Sequence, residues 1–191
     1  MRTNWILGSL LISAVSASAG ECPLAVVLGN SSVATPAVLA RARVVASEIF
    51  AGIGVDLRWI RKAPSEFGRC STVIEVQLEV STGPDDRPDS LAYAALSESG
   101  RDIHVFFDRV SAMIPGPALG TLLGHVFAHE IAHILEGVPR HSAAGVMKAR
   151  WDRKDVQDLV YRPLRFALVD DALIHAGLAS EPAGPIPLAV P

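Results

Sequence analysis

Two rhythms of apolar and polar positions run along this chain. From Val73 to Val80 an apolar residue recurs at every second place, the period of a strand with one buried face. Leu24 to Leu28 is a short continuous apolar run closed by Gly29-Asn30-Ser31-Ser32, which predicts a strand and a turn. Thr35-Pro36 then reads as an N-cap followed by proline at the first helical position. Val38, Ala42, Val45, Ile49 and Phe50 follow at helical spacing, and Gly52 and Gly54 end that helix. Val55 to Ile60, Leu91 to Leu96 and Ile103 to Phe107 are further strand candidates, the last two joined by a turn around Ser99-Gly100. Residues 81–90, rich in Pro, Gly and Asp, read as a loop. The order strand, helix, then four strands predicts a mixed sheet with one early crossover helix.

The next segment is long, helical and apolar on most of its circumference. It runs from Pro117 to about Glu136 and carries Leu119, Leu122, Val126, Phe127, Ile134 and Leu135. Gly137 stands where a left-handed C-terminal cap belongs, and Pro139 forbids continuation. Within it lies His129-Glu130-Ile131-Ala132-His133. Histidines four apart share one helix face, so both imidazoles can reach a single ion, and zinc suits neutral imidazole nitrogen. Glu130 points about 100° away from His129. Its carboxylate can sit beside the metal without ligating it, as a base toward an attacking water and then as an acid toward the departing amine.

Composition narrows the partners. At 191 residues, 50% hydrophobic and 19% charged, the chain can bury one real core, and its length favours a single domain over residues 20–180. A net charge of −3 and a pI near 6.0 supply no basic stripe for nucleic acid and no polybasic patch for a membrane. Residues 1–19 read as a secretory signal: Arg2, an apolar stretch from Trp5 to Val15, then Ala17-Ser18-Ala19 as a cleavage site. Export to the periplasm or outside the cell favours pairing of Cys22 with Cys70, because oxidising compartments pair an even count. Such a bridge closes a loop of about 48 residues, worth roughly 4 kcal/mol by the chain-entropy model. The alternatives are two free thiols or zinc ligands. Residues 181–191, with four prolines, read as a disordered tail.

Residues 129–147, HEIAHILEGVPRHSAAGVM, resemble the metzincin clan of zinc peptidases and, within it, the matrixin-like branch, where the third histidine is followed by Ser and then by a Met. Asp102 to Asp108 is similar to a strand segment those enzymes carry. The resemblance implies an α/β (α+β) fold: a mixed, mostly parallel sheet with a crossover helix, an active-site helix and a C-terminal helical subdomain. It also implies that Met147 lies in a turn beneath the histidines; as a bare residue, Met147 is a core methionine. The family spacing is HExxHxxGxxH. Here Gly137 comes one place late and His141 two places late, and Glu136 stands at the family's glycine position.

Geometry weighs the third ligand. After the Gly137 turn, residues 138–141 can fold back and deliver His141, because four extended residues cover about 13 Å. Glu136 lies about 10.5 Å along the helix axis from His129, and His125 about 12 Å from His133, so neither shares that ion easily. Asp152, Asp170 and Asp171 are the remaining candidates from the later chain. His141 is taken as the third ligand to Zn2+; Arg140 and Ser142 flank it and receive no role. Trp151 reads as core, Asp152 as the cap of a helix to about Tyr161, and Leu164 to Leu178 as a further helix. Tyr161 reads as a packing residue rather than a hydrogen-bond donor in the site, and His104 as a core or surface histidine. The functional reading is a secreted zinc metalloendopeptidase, monomeric, acting on protein or peptide with no nucleic-acid partner and no stable membrane insertion. The strand at Leu91 to Leu96 is expected to align extended substrate by backbone pairing. HExxH alone does not name the substrate, so a zinc-binding module without turnover and a hydrolase of a non-peptide bond are the alternatives.

Overall fold

The computed structural model describes residues 22–29, 32–60, 70–80, 90–97, 100–114 and 116–180. The signal segment 1–19, the tail 181–191, nearly all of the 81–90 loop and the start of the Ser99-Gly100 turn lie outside the described residues.

The chain begins with strand β1 (Cys22–Leu28) and helix α1 (Pro36–Ala51), followed by strands β2 (Arg58–Ile60), β3 (Cys70–Glu79), β4 (Ala92–Ser97) and β5 (Gly100–Phe106). These five strands form one sheet in the order β2-β1-β3-β5-β4. Every pairing is parallel except that of β4 with β5, so the sheet is mixed and mostly parallel. Helix α1 is the crossover between β1 and β2. Its start follows from the sequence: Thr35 accepts the Val38 N–H at 3.4 Å, and Pro36 opens the first turn. Its buried stripe is Leu39, Ala42, Val45, Ala46, Ile49 and Phe50.

The second half is helical. Helix α2 (Phe107–Met113) leads through a short 3-10 turn (Gly116–Ala118) into the long α3 (Leu119–Glu136), then α4 (Arg153–Tyr161) and α5 (Leu168–Ala179). Ile74, Val76 and Leu78 of β3 and Ile103 and Val105 of β5 alternate inward to meet Leu122, Phe127 and Ile131 of α3 in one core. Helix α3 is long and apolar enough to cross a membrane, yet nearly all of it is buried inside this fold. Its apolarity is that of a core helix.

Four expectations shift, each for a local reason. The strand expected from Val55 begins at Arg58, because the Val55 N–H is already donated to the Phe50 carbonyl at 3.0 Å in the closing turn of α1. Phe107 opens α2 instead of closing β5. Helix α5 starts at Leu168 rather than Leu164, since residues 164–167 stay extended: the Leu164 N–H donates to His125 and the Arg165 carbonyl accepts from Val146. Tyr161, expected to pack, is 89% exposed.

Helix α5 lies so close to the end of α3 that a Cβ at Gly177 would come within 1.8 Å of the Leu135 carbonyl oxygen. Gly177→Ala must push the two helices apart, at a cost of about 1–3 kcal/mol. Thermal unfolding should show a melting temperature lower by roughly 3–10 °C. An unchanged melting temperature would mean that α5 does not seat on α3 in this way.

Candidate metal centre and its cleft

Helix α3 sets the first two histidines one turn apart on a rigid, buried element. The Nε2 atoms of His129 and His133 lie 3.0 Å from each other. The third histidine arrives because the helix stops. Gly137 takes a left-handed conformation (φ 65°), its N–H capping the His133 carbonyl at 3.1 Å, and the chain folds back. This brings the His141 ring to 5.4 Å from that of His129 and 5.0 Å from that of His133, centroid to centroid. One nitrogen from each of the three rings lies within 4.8 Å of the others. Exposure increases from His129 through His133 to His141.

Hydrogen bonding fixes which nitrogens face inward. His129 Nδ1 is 2.8 Å from the Val146 carbonyl, which can only accept, so the proton is on Nδ1 and the Nε2 lone pair is free. Burial, with His133 and His141 adding to it, holds the His129 pKa down at about 4, against the opposing pull of the Val146 carbonyl and Asp170. Burial also lowers the His133 pKa, with His141 and Arg140 adding and the Val138 carbonyl opposing. Two neutral imidazoles whose nitrogens meet at 3.0 Å need a proton or a cation between them. Ligands at 2.0–2.1 Å from a tetrahedral ion stand about 3.3 Å apart, so the donor set fits zinc.

The folded pKa values of His129 and His133 lie below the unfolded value, which sets a pH dependence for the metal-free protein. Above about pH 6.5 both states are neutral and nothing is lost. As pH falls from there toward 4, the unfolded chain takes up protons that the folded one refuses, and stability drops. Melting temperatures of chelator-treated protein should fall across that window, and His129→Gln should flatten the fall. A profile equally steep in that variant would remove His129 as its cause.

The three rings stand at one side of a cleft of about 610 Å³. Its floor is α3, with Val126, Glu130 and Ile134 beside the histidines; Ser90 to Ala94 form one wall, and Lys148 to Trp151 the other. Glu130 is 7% exposed and lines this cleft. Strand β4 is the outer strand of the sheet on that side, pairing with β5 alone among the described strands.

The other candidates have different partners. His125 is buried with both nitrogens occupied: Nδ1 donates to the Thr121 carbonyl at 2.8 Å, and Nε2 accepts the Leu164 N–H at 3.0 Å. Asp152 caps α4 and binds Lys148; Asp171 pairs with His175. Glu136 and Asp170 are both held by Arg140. His104 is a half-buried sheet histidine, 2.6 Å from Glu79 and stacked on Tyr93. Met147 is fully buried in the turn after His141, and its carbonyl accepts the Ser142 N–H at 2.7 Å.

Four residues contribute to the site without a functional role in the sequence reading. The Val146 carbonyl orients His129, and a backbone atom leaves no mark in a sequence. Trp151, expected in the core, is half-buried and packs against it; its ring stands T-shaped to those of His125 and His129, and its Nε1 donates to the Gly145 carbonyl. Arg140 and Ser142 form a network with Asp170. The one available signal was the pair of polar residues flanking His141.

No protein-family profile and no curated protein sequence matches the chain. Among solved structures, the fold is similar to that of archaemetzincin from Methanopyrus kandleri, with a TM-score of 0.53 over 86% of this chain and 99% of that one. Identity over the match is 16%, so the likeness is one of fold.

Proposed function

We propose that this chain is a zinc-dependent peptidase of metzincin type, with His129, His133 and His141 as the metal's ligands and Glu130 as its general base. The observation that carries this reading is the convergence of three imidazole nitrogens in the cleft that a buried glutamate also lines, bordered by an edge strand. The matrixin-like branch rests on residues 129–147 alone.

Zinc held there would supply a Lewis acid that polarises a carbonyl and makes water more acidic. The chain's own groups do the rest. His129 is presented as a lone-pair donor by the Val146 carbonyl. Glu130 accepts a proton from the attacking water and returns it to the departing amine. Strand β4 offers backbone groups on its outer side, so an extended peptide can pair with it and lie across the histidines. Gly137 to Pro139 line the same cleft.

Metal analysis of purified protein should find one zinc per chain. Cleavage of denatured casein should stop with a chelator and return when zinc is restored. Bound zinc without cleavage of any unfolded protein would leave the module without turnover or the non-peptide hydrolase. Absence of zinc would end the reading.

Export belongs to the same proposal. Cys22 stands directly opposite Cys70 in the parallel register of β1 and β3. Neighbouring strands are about 4.8 Å apart, within the Cα separation a disulfide spans. Cys70 is not a free thiol. Unreduced mature protein should give no reaction with a thiol reagent until it is both unfolded and reduced. Two titratable thiols would remove the disulfide and weaken the case for export.

A further inference from the structure

We infer that Arg140 and Ser142, the residues on either side of His141, clamp the metal-binding loop onto the buried carboxylate of Asp170 and so position His141 for the ion. The inference rests on the zinc-site reading above and concerns how a ligand eight residues after His133 is held in place.

The clamp joins three elements. The Arg140 guanidinium donates to Asp170 Oδ1 at 2.7 Å and to Glu136 Oε2 at 3.2 Å through one nitrogen, and to Ser142 Oγ at 2.8 Å through the other. Ser142 Oγ donates in turn to Asp170 Oδ1 at 2.5 Å. The second oxygen of Asp170 accepts the Ala167 N–H at 2.8 Å, which ties it into the start of α5. Both carboxylates have fully buried side chains, whereas Arg140 keeps 28% exposure. His141 therefore sits between two residues that grip the same buried atom.

The charges explain the arrangement. Burial raises the Glu136 carboxyl, and neighbouring Asp170 adds to the rise, with Arg140 opposing both. Burial acts on Asp170 in the same direction, but Arg140, Ser142 and the Ala167 amide outweigh it and hold this carboxyl below its usual range. Two buried carboxylates are tolerable together only with a cation between them. Arg140 reaches both at once, because a planar guanidinium presents several donors in a fixed fork that an ammonium lacks, and Glu136 Oε1 is left buried without a partner. The rest of the loop is fixed independently. Ser142 N–H donates to the Met147 carbonyl, Val146 N–H to the Arg165 carbonyl, and the Val146 carbonyl accepts from His129. What remains to be set between Gly137 and Ser142 is the ring of His141.

Arg140 and Ser142 are thus positioning residues, and metal affinity separates that role from simple support of the fold. Zinc binding by the full mature chain can be measured by competition with a chromophoric chelator, and ligand geometry by the visible absorption of the cobalt-substituted protein. Supporting groups around metal ligands contribute 10–100-fold in affinity. Arg140→Gln should lose about that much, Ser142→Ala less, and both should alter the cobalt spectrum. Arg140→Lys keeps the charge and the folded state, and should still weaken binding about tenfold for want of the fork. In the background of His141→Ala, Arg140→Lys should cost no further affinity, because its effect passes through that ring.

Parent-like zinc affinity in Arg140→Lys and Ser142→Ala would overturn the clamp and leave the zinc site standing. So would an equal loss with and without His141. A parent that holds no zinc would overturn the zinc reading itself. Should Arg140→Gln fail to fold, Arg140→Lys and Ser142→Ala carry the test.

Discussion

Glu130→Ala is expected to keep one zinc per chain and to cleave denatured casein about 10²- to 10⁴-fold more slowly than the parent, the range general acid–base groups supply. The expectation joins position to burial. Glu130 follows His129 by one residue, so it is turned about 100° around α3 from that ligand yet still lines the cleft. At 7% exposure its carboxylate is largely withdrawn from bulk water, where a proton acceptor acts with least competition from solvent. Its removal leaves the three nitrogens unchanged, so binding and turnover should separate. Zinc content by metal analysis and initial rates on the same preparation measure both. A variant that cleaves as fast as the parent would require a different base. A variant that loses its zinc would place Glu130 among the groups that hold the ion. An intermediate check is Glu130→Gln, which preserves shape and lacks the basic oxygen; it should be nearly as slow.

The fold was most readable where a local signal coincided with a boundary. Thr35-Pro36 starts α1, Asp152 starts α4, and Gly137 stops α3, each through backbone bonds that the residue type predicts. The alternation in Val73 to Val80 became β3, with Ile74, Val76 and Leu78 turned to the core. The boundaries that moved did so through distant partners. Val55 and Leu57 are buried as a strand pattern requires, but the Val55 amide is spent on the end of α1. Leu164, Phe166 and Ala167 are apolar and read as the start of a helix, yet residues 164–167 run extended to satisfy His125 and Val146. No local pattern encodes a bond to a residue 39 positions away.

The site divides in the same manner. His129 and His133 were legible because one helical turn joins them, and the structure sets their nitrogens 3.0 Å apart. His141 was reached by chain length and by resemblance, and its ring now lies 5.0–5.4 Å from the other two. Glu136 and Asp170, weighed as ligands, turn out to be paired with Arg140 instead. An acid near a metal motif reads the same in sequence whether it meets the ion or an arginine. The difference lies in which side of the loop it faces, a tertiary fact.

His141→Ala should lower zinc affinity by more than the roughly 100-fold that loss of a supporting hydrogen bond costs, while the melting temperature of the metal-free protein stays close to the parent's. The reasoning starts from exposure. His141 is the most exposed of the three rings, so truncating it opens no core cavity and the fold has little to lose. What it contributes is a third neutral nitrogen, without which two ligands on one helix must hold the ion with water. Catalytic zinc sites take three protein ligands as a rule. Glu136, Asp152 and Asp171 already have partners in Arg140, Lys148 and His175, so none is free to take its place. Glu136→Gln and Asp171→Asn should accordingly change zinc affinity far less. Chelator competition ranks the three variants on one scale. If Asp171→Asn proved as costly as His141→Ala, a carboxylate would be the third ligand. The metzincin assignment would then give way to a more general two-histidine, one-acid zinc site.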